Sequence, residues 1–223
     1  MGWFFKFINS SIGKKFMMAV TGSFLLIFLV IHLIGNITLF FGPSAFNGYV
    51  SALDVIKPLI RVIEVVLLAA FVIHIFNGLR LWLENKRARG VNYKVSGSSE
   101  NSTVFSRTMA LTGSIIFIFL VTHLGTFFWR FNIYDPLGFA NNHQYYDVVV
   151  YFFNIWWYAI LYVIAMGFLG YHLNHGFQSA FQTFGWNHKK YFPLIKKIGT
   201  VYAIIMAFGF ASMPIYFLLG GGN

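Results

Sequence analysis

The 223-residue sequence contains no cysteine and very few charged residues. Without cysteine, the chain can form no disulfide, ligate no iron–sulfur cluster and attach no haem covalently through a Cys-x-x-Cys-His motif. Only 10% of the residues are charged, whereas soluble domains carry about 25%. The shortage of charge therefore argues against a soluble globular domain and favours an integral membrane protein.

Hydrophobic residues make up 58% of the chain and aromatic residues 21%, with 28 phenylalanines. Five apolar runs are long enough for a membrane helix of about 20 residues. They lie near residues 16–41, 59–83, 107–130, 148–178 and 196–219. The sequence predicts an all-α integral membrane protein, a single transmembrane domain over residues 1–223, because helices satisfy their backbone groups within lipid. The first run is too long for a signal peptide, so we expect it to remain as the first span.

The net charge of +10 follows the predicted topology and does not indicate nucleic-acid binding. Three segments hold thirteen of the sixteen basic residues: the N-terminal segment and the second-to-third and fourth-to-fifth connections. These residues are Lys6, Lys14, Lys15, Arg80, Lys86, Arg87, Arg89, Lys94, Arg107, Lys189, Lys190, Lys196 and Lys197. The other three are Lys57, Arg61 and Arg130. This asymmetry predicts a cytoplasmic N-terminus and an outside C-terminus.

Four histidines lie within four different apolar runs, where an ionisable side chain is costly and usually functional. They are His32, His74, His123 and His172. Two of them follow an internal repeat. The segment 18–23, Met-Ala-Val-Thr-Gly-Ser, leads to His32, and the segment 109–114, Met-Ala-Leu-Thr-Gly-Ser, leads to His123 at the same spacing. A weaker echo relates residues 74–78 to residues 172–176.

Depth in the membrane groups the same histidines into two layers. At about 1.5 Å per residue, His32 lies roughly 25 Å beyond the cytoplasmic edge, and His123 precedes the outer residue Arg130 by two turns. His74 and His172 belong to the inner half. The sequence therefore predicts an outer pair, His32 with His123, and an inner pair, His74 with His172.

Two pairs of histidines at different depths favour two haems b, bound non-covalently and stacked across a five-helix bundle. Imidazoles in both axial positions favour one-electron transfer, because neither position stays open to oxygen. Interhelical hydrogen bonds, a zinc site and a proton relay remain alternatives for individual histidines. His175 competes with His172 as the ligand in the fourth span. We expect His143 and His188 to be loop or interface residues.

These residues resemble the five-helix, dihaem cytochrome b membrane anchor of succinate:menaquinone and quinol:fumarate oxidoreductases. The resemblance rests on Ser11 to Lys15 before the first repeat, on the four histidines in order, and on Gly185-Trp186 downstream of His172. It covers essentially the whole chain. It implies that the four histidines are axial haem ligands, with His172 chosen over His175 because of the spacing to Gly185-Trp186.

The resemblance also implies partners and a location. A flavoprotein subunit with covalent FAD and an iron–sulfur subunit would dock on the cytoplasmic face of the cell inner (cytoplasmic) membrane. Electrons would pass between menaquinone or another quinone, the two haems, the iron–sulfur clusters and the flavin. Dicarboxylate chemistry would occur on a partner, so we expect no catalytic residue in this chain. Some relatives carry a Glu two residues before the fourth-span ligand, but this chain has Gly170, which argues against that proton path.

Further site residues follow from position. Asp54 and Glu64 are the candidates for a quinone site, because quinone chemistry exchanges protons with a nearby group. Glu64 has a second interpretation, as the partner of Arg61. Arg130 and Arg61 are candidates for outer haem propionates, and Arg80, with Lys86, for inner ones. Snorkelling to lipid headgroups is the alternative for each of these cations.

Two other functions fit the same sequence. A dihaem cytochrome b subunit of another membrane dehydrogenase, such as a formate dehydrogenase or hydrogenase, would share the four histidines. A histidine-using transporter would also place ionisable groups within its spans, and transporters contain internal repeats. Haem content and copurifying subunits distinguish these alternatives.

Overall fold

A computed structural model describes residues 2–88, 108–139 and 142–222. These residues form helices and short connections and contain no β-strand. Five helices are long and apolar enough to cross a membrane: Ser11–Phe41, Lys57–Arg87, Met109–Asn132, Trp156–Thr183 and Phe192–Leu218. The predicted all-α class with five membrane helices is therefore confirmed. The basic residues Arg89, Lys94 and Arg107 lie outside the described residues.

The first two spans are joined by a short helix. A helix α1 (Trp3–Asn9) precedes α2 (Ser11–Ile37), which tightens into a 3-10 turn at Thr38–Phe41. Gly42 then adopts φ 87°, a left-handed conformation that glycine tolerates best, and Pro43 opens α3 (Pro43–Val55). The second span is α4 (Lys57–Ala88).

The third span contains an irregular turn. It begins as α5 (Met109–His123), continues as a π-helical segment at Leu124–Phe128 and ends as α6 (Trp129–Asn132). The remaining helices are α7 (Tyr145–Phe153), α8 (Trp156–Thr183) and α9 (Phe192–Leu218). π-helical segments are rare in proteins, and those that occur are often at functional sites. The segment after His123 therefore indicates that this part of the third span is functional.

Large apolar side chains remain exposed along the spans. Phe208 is 72% exposed, and Phe76 and Ile118 are each 64% exposed. Water would disfavour such extensive apolar surface, whereas acyl chains accept it. The chain is a multi-pass integral membrane protein.

The chain divides into two compact units, and every span contributes residues to both. Unit 1 contains Met1–Ile27, Val65–Gly113 and Tyr171–Ala203. Unit 2 contains Phe28–Glu64, Ser114–Gly170 and Ile204–Asn223. His74 and His172 both lie in unit 1, and His32 and His123 both lie in unit 2.

Unit 1 has a core of small and polar side chains. Ala19, Thr21 and Thr112 are among its buried residues. Lys14 is also buried, 6% exposed, and its ammonium lies 2.6 Å from the Glu84 carboxylate. The carboxylate compensates the buried charge, which would otherwise be costly.

Unit 2 has a core of large aromatic and aliphatic side chains. Val148 and Phe217 are fully buried, and Phe153 stacks on Phe217 with 6.2 Å between ring centroids. The short helices α3 and α7 pack together, and the Asn47 side chain accepts a hydrogen bond from the Tyr146 backbone at 2.8 Å. The two connecting helices thus belong to the unit that holds His32 and His123.

Candidate functional site

The four span histidines form two pairs of facing rings. In unit 1, the ring centroids of His74 and His172 are 6.3 Å apart, with 68° between the ring planes. In unit 2, those of His32 and His123 are 5.8 Å apart, with 88° between the planes. All four side chains are half-buried. The structure therefore brings together the same pairs that depth in the sequence predicts.

Threonine hydroxyls fix both rings of the unit 1 pair. The Thr21 hydroxyl lies 3.2 Å from His74 Nδ1, and the Thr112 hydroxyl lies 3.4 Å from His172 Nδ1. Each hydroxyl donates its own hydrogen to a backbone carbonyl one turn earlier, Thr21 to Met17 at 2.7 Å and Thr112 to Met109 at 3.1 Å. Because each hydroxyl hydrogen is engaged, the oxygen accepts from Nδ1–H, which leaves Nε2 of the neutral ring as the free ligand atom.

Two glycines allow these rings to approach the helices of the first and third spans. A Cβ at Gly22 would lie 3.3 Å from His74 Cε1, and one at Gly113 would lie 3.7 Å from His172 Cε1. The repeat Thr-Gly therefore supplies one hydrogen-bond acceptor and one close backbone surface for each ring. Gly78 and Gly176, four residues after the second-span and fourth-span histidines, are candidates for the approach of a macrocycle or a neighbouring helix; a Cβ at Gly78 would lie 3.7 Å from Met18 Cε, and one at Gly176 would meet nothing within 4 Å.

Phenylalanines position both rings of the unit 2 pair. His32 stacks on Phe28 and His123 stacks on Phe119, with centroid distances of 5.2 and 5.5 Å. Each phenylalanine precedes its histidine by four residues, so the two meet on one helix face. The repeat between the first and third spans thus reproduces the stacking as well as the histidine.

The Nδ1 partners of the unit 2 pair differ from each other. His123 Nδ1 lies 3.3 Å from the Tyr162 hydroxyl. His32 Nδ1 lies 3.5 Å from the Asn36 amide nitrogen, which also donates to the His32 backbone carbonyl at 2.7 Å. A hydroxyl therefore lies beside Nδ1 of three of the four rings, and an amide nitrogen lies beside that of His32.

This geometry fits one metal centre per pair, bound by two imidazoles. Two imidazoles on opposite sides of one metal ion, at about 2 Å each, place their ring centroids roughly 6 Å apart. Both pairs match that separation. Within the described parts of the chain, no group of three or more His, Asp or Glu residues could hold a metal ion. A haem needs only two protein ligands, whereas a structural zinc site needs four.

The remaining histidines lie away from the paired rings. His175 lies on α8 one turn beyond His172, and no contact places it in either pair. His143 adopts φ 58°, and its Nδ1 lies 3.4 Å from the Tyr145 hydroxyl. His188 accepts a hydrogen bond from the Lys190 backbone at 3.3 Å.

Asp54 lies at the end of α3 within a small polar cluster. Its carboxylate accepts hydrogen bonds from Lys57 at 2.9 Å and from the Tyr145 hydroxyl at 3.2 Å. The Lys57 hydrogen bond lowers the pKa of Asp54, and the Tyr145 hydrogen bond adds to this effect. Burial raises the pKa of Tyr145, as does the neighbouring Asp54 charge. The cluster thus keeps Asp54 ionised beside a protonated tyrosine.

A chain of ring contacts links this cluster to the unit 2 pair. Tyr145 contacts Phe131, Phe131 contacts Phe127, and Phe127 contacts His123, with centroid distances of 5.1, 6.2 and 5.5 Å. Asp54 is therefore separated from the His123 imidazole by a short series of aromatic side chains.

Glu64 is the partner of Arg61. Its carboxylate accepts a hydrogen bond from Arg61 at 2.6 Å, and the same guanidinium donates to the Asn132 side chain at 3.0 Å. The interpretation of Glu64 as an ion-pair partner therefore agrees with the structure, and Arg61 links the second span to the end of the third.

The candidate propionate residues differ in how well they are paired. Arg80 donates to Glu84 at 3.1 Å and to Asn9 at 2.9 Å, and Lys86 lies over the Trp82 ring at 5.3 Å. Arg130 lies over the Phe152 ring at 4.9 Å, while its Nε and one terminal nitrogen are buried without a hydrogen-bond partner. Buried guanidinium donors without partners are costly, so Arg130 is the residue most suited to an anionic group.

The side chains beside Nδ1 are the site residues that sequence reasoning missed: Thr21, Thr112, Tyr162 and Asn36. A signal existed for the threonines, because the repeat places a Thr-Gly pair eleven residues before each unit 2 histidine. No repeat marks Tyr162, whose role depends on which helix faces the third span. Asn36 lies one turn after His32 on the same helix, so the i, i+4 spacing was the signal that could have found it.

Comparison with known families supports the same interpretation. Residues 16–103 match the family model described as succinate dehydrogenase/fumarate reductase transmembrane subunit. Neither the curated proteins nor the solved structures gave a match. The match to residues 16–103 confirms the resemblance predicted from the sequence over this part of the chain, which contains His32 and His74.

Proposed function

We propose that this chain is a dihaem cytochrome b anchor that carries electrons between a membrane quinone and partner subunits holding iron–sulfur clusters and FAD. The observation that supports this most directly is the pairing of four histidines into two facing couples, each ring with a polar side chain at Nδ1. Two such couples match the requirement of two haems for axial ligands and leave no axial position open.

In this proposal, His32 and His123 hold one haem and His74 and His172 hold the other. Haem supplies the one-electron chemistry when bound, and this chain supplies its ligands, orientation and electrostatics. Thr21 and Thr112 fix the rings of the unit 1 pair and raise the basicity of Nε2 by accepting from Nδ1–H. Phe28 and Phe119 restrict the rings of the unit 2 pair by stacking.

Arg130 is the proposed propionate partner at the unit 2 haem. Its buried, unpaired donors support this role, because a propionate would satisfy them and neutralise the charge. Arg61 and Arg80 are weaker candidates, since Glu64 and Glu84 already pair with them. Either arginine would have to share its guanidinium between the carboxylate and a propionate.

The proposed quinone site lies at Asp54, in the unit 2 cluster. Asp54 is held ionised by Lys57 and can accept a proton released from a quinol, and Tyr145 lies beside it to donate or return one. The ring contacts through Phe131 and Phe127 connect this cluster to His123. Glu64, engaged by Arg61, is the secondary candidate.

Charge in the sequence supports the proposed orientation. We place the N-terminus, the basic connections, His74 and His172 toward the cytoplasm, and the C-terminus, His32 and His123 toward the outside of the cell inner membrane. The flavoprotein and iron–sulfur subunits would then dock on the basic cytoplasmic face. Within this proposal, the chain functions as a single transmembrane domain over residues 1–223.

Purification of the native complex tests the proposal. We expect a flavoprotein with covalently bound flavin and an iron–sulfur protein to copurify, and succinate to reduce the cytochrome. As a matched control, a His74→Ala, His172→Ala double variant would retain the partners and lose haem reduction. Molybdopterin or nickel in the copurifying subunits would assign the chain to another dehydrogenase, and activity of this chain alone without haem would favour transport.

A further inference from the structure

Among the residues that the structure describes, a chain of hydroxyl groups extends from His123 and from none of the other three paired histidines. His123 Nδ1 lies 3.3 Å from the Tyr162 hydroxyl, and the Tyr158 and Tyr162 hydroxyls share a hydrogen bond of 2.9 Å. Both tyrosines are buried, 8% and 6% exposed. Buried hydroxyls joined in series polarise one another, so a change at one end reaches the other.

The internal repeat does not account for this chain. His32 occupies the equivalent position in the first span, but its Nδ1 has only the Asn36 amide, 3.5 Å away on the same helix. Phe28 and Phe119 are equivalent, as the repeat requires. The tyrosines come from the fourth span, where Tyr162 contacts His123 and Tyr158 contacts Tyr162.

The π-helical segment packs against Tyr162 of the hydroxyl chain. Residues 124–128 form this segment directly after His123, whereas the equivalent residues 33–37 of the first span are α-helical. A π-helical turn contains more residues than an α-helical one, so the side chains within and beyond it are rotated around the helix axis. Phe127, within the segment, contacts the Tyr162 ring with 6.2 Å between ring centroids.

The direction of the hydrogen bonds follows from the ligand atom. A His123 ring that binds iron through Nε2 carries its hydrogen on Nδ1 and donates it to the Tyr162 oxygen. Hydroxyl hydrogens rotate to suit their neighbours, so Tyr162 then donates to Tyr158. Each bond in this direction strengthens the one before it, which increases electron density on the imidazole.

We propose that Tyr158 is a positioning residue that acts through Tyr162 on the His123 imidazole and lowers the reduction potential of the unit 2 haem. This inference rests on the proposed function, in which His123 is an axial ligand. An imidazole with more electron density stabilises ferric iron, so the potential falls. The chain of hydroxyls thus lowers the reduction potential of the unit 2 haem and not that of the unit 1 haem.

Redox titration of the haem absorbance, with Tyr162→Phe and Tyr158→Phe variants, tests this inference. We expect Tyr162→Phe to raise the reduction potential of the unit 2 haem by about 59 mV, which corresponds to a change of about tenfold in its equilibrium constant for reduction. Tyr158→Phe should change the same equilibrium constant by about threefold, also toward the reduced haem. The unit 1 potential should not move. A His123→Ala variant assigns the two components, because it removes the unit 2 haem.

Tyr202→Phe is the matched control, because the Tyr202 hydroxyl donates to the Leu26 backbone in unit 1 and contacts no paired histidine. Electron paramagnetic resonance of the ferric haems provides a second readout, and Tyr162→Phe should change the signal of the unit 2 haem alone. If Tyr158→Phe does not assemble, Tyr158→Met keeps an apolar side chain without a hydroxyl at this position and should also raise the unit 2 potential.

Three results would overturn the inference while leaving the proposed function intact. These are two haems with an unchanged unit 2 potential in Tyr158→Phe, an equal shift of both haems, and an equal shift in Tyr202→Phe. Absence of haem from the unmodified protein would instead contradict the proposed function.

Discussion

The unit 1 and unit 2 histidine pairs have nearly the same separation but different surroundings. At the unit 1 pair, Thr21 and Thr112 give the two rings matching hydroxyl partners, and glycines replace the neighbouring side chains. At the unit 2 pair, phenylalanines stack on the rings, and the polar partners are a tyrosine and an asparagine. The first site is symmetric in its hydrogen bonds and the second is not.

The difference shows how one repeat serves two sites. The same segment of the first and third spans contributes a Thr-Gly acceptor to unit 1 and a histidine to unit 2. The second and fourth spans provide the unit 1 histidines and, in the fourth, the unit 2 tyrosines. Symmetry in the first and third spans therefore makes the unit 1 surroundings equal, while the fourth span makes the unit 2 surroundings unequal.

Replacing a ligand should have the largest effect and should separate the two sites. We expect His74→Ala or His172→Ala to remove the unit 1 haem, and His32→Ala or His123→Ala to remove the unit 2 haem, because one imidazole alone leaves an axial position unfilled. Pyridine haemochrome quantitation should fall from two haems per chain to one. His175→Ala is the control and should retain both; loss of a haem there, with His172→Ala unaffected, would show that the fourth-span ligand is wrong.

Adding a side chain at the unit 1 glycines should distinguish those two positions. Gly22→Val places methyl groups against the His74 ring, where a Cβ alone would already lie 3.3 Å away, so we expect the unit 1 haem content to fall severalfold. Gly113→Ala, at 3.7 Å, should bind haem normally. Equal haem content in both variants would mean that the close approach at Gly22 has no role.

Removing the threonine hydroxyls tests the hydrogen bonds of the unit 1 pair. Thr21→Val or Thr112→Val should raise the unit 1 potential, because each removes the acceptor for Nδ1–H and makes the ligand less basic. A hydrogen bond worth about 1 kcal/mol corresponds to roughly fivefold in the reduction equilibrium. The two variants should shift the potential equally; clearly different shifts would contradict the symmetric site.

The smallest expected effect concerns pH and the unit 2 cluster. The lowered pKa of Asp54 keeps the carboxylate ionised as pH falls, until the pH reaches that lowered value. Lys57→Met removes the main cause, raises the pKa and should move the acid limb of the quinol-oxidation profile to higher pH. The shift should be small, because the pair is partly exposed and screened by salt. Lys190→Met is the control and should leave the acid limb unchanged. An acid limb that is also unchanged in Lys57→Met and in Asp54→Asn would show that Asp54 takes no part in the proton transfer.

Much of this architecture could be predicted from particular residues. Long apolar runs predict the five helices because lipid imposes a length and forbids unsatisfied backbone groups. The depths of His32 and His74 predict the pairing, since rise per residue is fixed in a helix. The Tyr162 contact could not be predicted, because it depends on how the fourth span rotates against the third. The π-helical segment after His123 could not be predicted either, because the sequence of residues 124–128 is that of an ordinary apolar helix.

The most direct test of the central claim is a reduced-minus-oxidised absorbance spectrum of the purified protein, with pyridine haemochrome quantitation. Two histidine pairs predict two low-spin haems b per chain, bound without covalent attachment. A protein that is folded in the membrane, retains its partner subunits and contains no haem would contradict the account.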